Sequence, residues 1–223
     1  MSAQADHEGL TVEEVDVDGA LREAAEDAGH TRATFVRRGA LVGGGLLAGA
    51  LPLALATGQS GISKNDRKIL NFALLLEYLG AAFYAEANSQ GALSGELATF
   101  SQVVAQHEAA HVAAVQGLLG SSARSKPEFD FKDTTSDRKK FARTAQMLED
   151  NDVAALQGAA PSIESKAVLA AAGSFLPVEA RQAAWIRDIN GRGDSPSPAR
   201  VAFSKPRSTA EVQSVLDATG FIS

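Results

Sequence analysis

Ala105-Gln106-His107-Glu108-Ala109-Ala110-His111, written AQHEAAH, admits two readings that lead to different folds. His107-Glu108-Ala109-Ala110-His111 fits the H-E-x-x-H pattern of zinc proteases, in which two histidines one helical turn apart hold the metal and the glutamate acts as base. Glu108-Ala109-Ala110-His111 alone is a Glu-x-x-His pair. Residues three apart on a helix share a face, so this pair can hold one metal from a single helix. Such a pair needs further carboxylates from neighbouring helices, and the rest of the chain must supply them.

It does so through an internal repeat. Leu76-Glu77 and Leu148-Glu149 lie 72 positions apart, and Glu108 and Glu179 lie 71 apart. From Glu77 to Glu108 is 31 residues, and from Glu149 to Glu179 is 30. The flanks agree, EAAHVAA (108–114) against EARQAAW (179–185). Two helical hairpins carry acids at matching places. Glu77 is the most telling, because no other charge falls between Lys68 and Glu86. A carboxylate in so apolar a run is costly to bury unless it is paired or metal-bound. Glu108 and Glu179 sit in Ala-rich, thinly charged surroundings. Glu149 neighbours Asp150 and Asp152, and a solvated acidic face explains it as well as an inward one. Beyond the first 30 residues the histidines are His107 and His111 alone. His111 belongs to the Glu-x-x-His pair. His107 reads as a surface polar group, with a supporting or ligating role as alternatives.

The composition agrees with helices. The chain has 223 residues, 45% hydrophobic, with alanine and leucine abundant and no Val/Ile/Thr-rich alternation. It has no cysteine, which excludes disulfides and thiolate metal sites. The net charge of −6 is concentrated at the start. Residues 1–56 hold 4 Lys/Arg against 9 Asp/Glu, and the remainder 17 against 18. A nearly neutral body with no basic face gives no support for nucleic-acid binding.

Four long helices are expected. The first follows Ser63-Lys64-Asn65-Asp66 and ends near Gly91. The second runs from about Leu93 to Leu119, the third from Ser136-Asp137 to about Ala159, and the fourth from about Ser165 to Ile189. Pro177 should kink or break the fourth. Ser208-Thr209-Ala210-Glu211 is a capping box for a short last helix, after which Phe221-Ile222 should pin the terminus. The fold class is therefore all-α, an antiparallel four-helix bundle over residues 63–191, with a tail (192–223) whose short C-terminal helix packs on it.

Residues 1–56 read as an acidic leader followed by an export signal, with 57–62 as linker. Arg37-Arg38 precedes an uncharged run from Gly39 to Ala56, and Ala54-Leu55-Ala56 is a small-x-small cleavage pattern. This resembles a twin-arginine signal cleaved after Ala56, which would place the mature protein in the periplasm, envelope or medium. If uncleaved, the same run of about 18 residues is a membrane anchor at the lower length limit, and the chain's one membrane contact.

The ordered set ILNFALLLEYLGAAFYAEA (69–87), HEAAH, AQMLEDNDVAALQGAAP (145–161), VEARQAAWIR (178–187) and GFI (220–222) resembles the ferritin-like superfamily. More narrowly, it resembles bacterial ferritin-like proteins described as desiccation-related. The resemblance implies a di-iron-type carboxylate site, with Glu77, Glu108, His111, Glu149 and Glu179 as metal ligands and Tyr84 and His107 as groups behind them. The family pattern has a second Glu-x-x-His, whereas this sequence has Gln182, a neutral and weaker donor for transition metals. Iron is the expected metal, with manganese or zinc as alternatives and an empty site as a third. The implied activity is oxidation of ferrous iron or handling of oxidative stress. The alternatives are a bundle that has lost catalysis and, remotely, the zinc protease.

Overall fold

The computed structural model describes residues 62–191 and 201–222. The leader and signal, with Arg37, Arg38, Ala54 and Ala56, and residues 57–61 of the linker lie outside the described residues, as does 192–200. Five α-helices are described: α1 (Lys64–Gln90), α2 (Glu96–Leu119), α3 (Arg138–Ala159), α4 (Lys166–Gly191) and α5 (Thr209–Thr219). Among the described residues the sole β-pairing is one bridge, Phe129 with Ile222.

The ends follow local chemistry. The Ser63 hydroxyl accepts from the Asp66 N–H and starts α1, and Gly91, at φ 67°, ends it in the left-handed conformation open to glycine. Asp137 accepts from the N–H groups of Lys139 and Lys140 at the start of α3. Ser208 and Glu211 form the expected capping box of α5. The second helix starts at Glu96 rather than Leu93, because Gly95 holds φ 59°, ψ −143°, outside the helical region. Helix α4 continues through Pro177 without a break. Pro177 and Gly173, the residue whose carbonyl loses its i+4 donor, both lie on the exposed face, where that carbonyl is open to solvent.

Hydrogen bonds between elements fix the directions. Asn71, near the start of α1, donates to the Ser122 carbonyl just past the end of α2, so these helices run antiparallel. Asn190, at the end of α4, donates to the Ala142 carbonyl near the start of α3. Asp66 of α1 is fully buried and accepts from Glu164 N (2.9 Å) and Ser165 N (2.8 Å), capping α4 from across the bundle. Helices α2 and α3 therefore run the same way, and the connection between them travels the length of the bundle along α1. Arg124 meets Asn71 and Tyr78, Phe131 packs on Phe83, and Thr135 donates to Glu86. The end of the chain clamps this crossover. Asp130 N donates to the Phe221 carbonyl at 2.9 Å, and the ring of Phe221 lies 5.3 Å from that of Phe131.

Two apolar clusters fill the bundle. One is aromatic, with Phe83, Tyr84, Phe100 and Phe141 at its heart. The other is mainly aliphatic, around Leu70, Leu74, Val115 and Val168. The buried acids lie on the four long helices that both clusters share.

Candidate metal centre

Each long helix delivers polar side chains to the interior. Glu108, Glu149 and Glu179 are each 1% exposed, and Glu77, His111 and Gln182 are also buried. Glu77, Glu108, His111 and Glu179 each offer a donor atom, and these atoms all lie within 4.8 Å of one another. His111 Nδ1 is 2.9 Å from Glu179 Oε1 and 3.3 Å from Glu77 Oε2, yet aligned with neither for a hydrogen bond. The imidazole is held from behind by Phe175, stacked at 4.4 Å.

The second half of the repeat is built on the same plan with other donors. As His111 reaches Glu179 across the bundle, Gln182 Nε2 reaches Glu108 Oε1, at 3.0 Å. Glu149 accepts a short hydrogen bond from the buried Tyr84 hydroxyl, leaving its other oxygen without a partner. Tyr84 thus stands behind an acid of the cluster. His107 does not. It is exposed, and partial desolvation at the helix surface lowers its pKa, followed by the nearby His111 and Arg181. The protease reading needs both histidines on one metal, so it loses its first ligand here.

Two contributors escaped the sequence reading. Asp152 was grouped with Asp150 as solvated face, but the two diverge by two helical positions. Asp150 pairs with Arg187. Asp152 lies three residues after Glu149, on the inward side, and feels the charges of Glu179, Glu77 and Glu149. The i, i+3 rule applied to Glu108 and His111 would have found it. Gly80 matters by what it lacks, since a Cβ there would lie 2.8 Å from Glu108 Oε2.

So many buried carboxyls cannot all be charged. Burial first, then the neighbouring Glu179 charge, holds Glu108, Glu149 and Asp152 well above the ordinary carboxyl range. Glu179 is raised by burial and partly drawn back by His111. Burial alone would lower His111, but its contacts with Glu179 and Glu77 prevail and lift it to about 10. Protons neutralise this cluster, and a metal cation can replace them.

This arrangement sits in a recognisable sequence frame, since residues 65–192, more than half of the chain, match the profile of the ferritin-like domain. The chain belongs to the ferritin-like domain family. No curated protein matches it. The ferritin-like domain here has donors that fit a divalent metal. Glu77 Oε2, both oxygens of Glu179 and the free oxygen of Glu149 are buried with no hydrogen-bond partner. Buried polar atoms rarely stay unpaired, and carboxylate with imidazole suits iron, manganese or zinc.

Proposed function

We propose that this ferritin-like domain binds a divalent metal, iron or manganese, through Glu77, Glu108, His111 and Glu179, and acts outside the cytoplasm on ferrous iron or in oxidative and desiccation stress. The single observation behind the reading is His111 Nδ1 set between Glu77 Oε2 and Glu179 Oε1, within ion-pair distance of both but aligned for a hydrogen bond with neither. A cation among these atoms would complete all three. Iron bound there would supply the electron that oxygen or peroxide takes up as ferrous iron becomes ferric. The chain's own part is to gather the donors, exclude water with the surrounding apolar clusters and give up protons from the raised carboxyls as the cation enters. Glu149 and Gln182 outline a second position. Gln182 has a carbonyl oxygen to offer, but its amide is engaged with Glu108. That engagement also favours the second reading, a bundle without catalysis. The extracytoplasmic location rests on Arg37-Arg38 and the run to Ala56.

Metal analysis after anaerobic ferrous loading of the mature protein tests the reading. Wild type is expected to hold about one equivalent, Gln182→His more and Glu77→Ala almost none. Equal occupancy in all three removes the site assignment. A loaded protein that produces no ferric absorbance in air selects the non-catalytic reading.

A further inference from the structure

The repeat exposes an asymmetry that the metal reading does not use. Its two-fold relation places Phe83 of α1 opposite Ala155 of α3, Tyr84 opposite Leu156, Phe100 opposite Ala171 and Phe141 opposite Ile69. The first member of each pair belongs to the buried aromatic cluster, where Tyr84 packs edge-on against Phe83, Phe100 and Phe141. The second members, Ala155, Leu156, Ala171 and Ile69, all line one chamber of about 290 Å³. Where one half of the repeat is filled by four aromatic rings, the other half is hollow.

Interiors are close-packed, and large voids are few. This one is about twice the 150 Å³ cavity that accepts benzene, so it has room for two rings. Its walls are largely apolar, with Leu70, Leu76, Val115, Leu118, Val168 and Phe175 among them. Glu77 and Asp152 are the acids in the wall, and the exposed Ser162, Ser208 and Thr209 form its outer rim. Glu77 Oε2 is buried, 3.3 Å from His111 Nδ1, and accepts no aligned hydrogen bond. Its counterpart, Glu149, receives the Tyr84 hydroxyl. Leu156, which stands where that tyrosine would be, cannot donate.

We propose that the chamber binds a small two-ring phenol, whose rings take the space that Phe83 and Tyr84 fill in the other half and whose hydroxyl donates to Glu77, as Tyr84 donates to Glu149. A carboxyl oxygen accepts in either protonation state, so the contact does not depend on the charge of Glu77. The site adjoins the proposed metal position and places a bound phenol beside it. As a binding site it stands without the metal; as the seat of a substrate it rests on the metal reading.

The test uses the metal-free mature protein and 1-naphthol, followed by its own fluorescence, with naphthalene and 1-naphthoate for comparison. Saturable one-to-one binding of 1-naphthol is expected, at least tenfold tighter than naphthalene, which lacks the donor, or naphthoate, which brings an anion to two acids. Ala155→Phe should weaken it at least tenfold by filling the chamber. Leu156→Tyr should do the same by giving Glu77 an internal phenol, and it carries the test if Ala155→Phe does not fold by circular dichroism. No saturable binding, or unchanged binding in the folded variant, overturns the proposal. Equal binding of 1-naphthol and naphthalene overturns the phenol class. Ferrous loading is measured separately: a protein that loads iron but ignores 1-naphthol loses only the chamber, and one that binds 1-naphthol but no iron loses only the metal site.

Discussion

The hairpin α1–α2 and the hairpin α3–α4 share one plan and differ in what they bring to it. The first supplies Glu77, Glu108 and the imidazole of His111, with Gly80 clearing space for Glu108. The second supplies Glu149, Glu179, the amide of Gln182 and, where the first has Gly80, the carboxyl of Asp152. One half therefore gives the cluster its cation when protonated, and the other adds acid. The same contrast appears at the bundle ends. Asp66 of α1 accepts two backbone N–H groups at the start of α4, whereas its counterpart Arg138 of α3 donates to Ser94 beside the start of α2. A duplicated frame can keep its contacts and change the sign of the groups that make them.

His111→Gln makes the two halves alike and should have the largest effect. Loss of the one imidazole is expected to weaken ferrous or zinc binding at least a hundredfold, about 3 kcal/mol, by calorimetric titration. The same variant tests the proton balance. In the folded metal-free protein His111 holds its proton up to about pH 10, and Glu108, Glu149 and Asp152 are raised as well. The folded state thus binds more protons than the unfolded chain, so stability falls as pH rises. The carboxyl contribution begins to fade above the ordinary carboxyl pKa near 4.5. That of His111 is complete below 6.5 and lost by about 10. Melting temperature should drop across that range in wild type, and His111→Gln should lose the upper part of the decline. A melting temperature that climbs with pH would contradict the assignment.

Asp66→Ala strands two N–H groups at a helix start and should cost about 2–3 kcal/mol in urea unfolding. Its counterpart Arg138→Ala, at an exposed contact, should cost under about 0.5 kcal/mol. Similar losses would erase the distinction between the two ends. Between these, Gly80→Ala should lower metal affinity about tenfold, roughly 1.4 kcal/mol, with little change in melting, because Glu108 must move aside.

Much of this was written in the chain. The apolar run around Glu77 announced a buried acid, because burial of an unpaired carboxylate is too costly to arise incidentally. Ser63, Asp137 and Ser208 marked three helix starts through short polar side chains that reach their own backbone. Periodicity is silent about what lies across the bundle. It could not show that Pro177 faces water, or that the α2–α3 connection would run along α1 rather than turn back. Asp152 was hidden by company: beside Glu149 and Asp150 a solvated acidic face explained the run as well as an inward one, although the helix turns Asp150 outward and returns Asp152 to the interior. The chamber needed the repeat and the packing together, because Ala155 and Ala171 are unremarkable helix formers until they are set against Phe83 and Phe100.

Phe221 and Ile222 fasten the crossover that covers the first hairpin. The outer layer of the α1–α2 hairpin is therefore secured by a contact between residues distant in sequence, which is slow to close. Phe221→Ala should prolong the life of an open, protease-sensitive form.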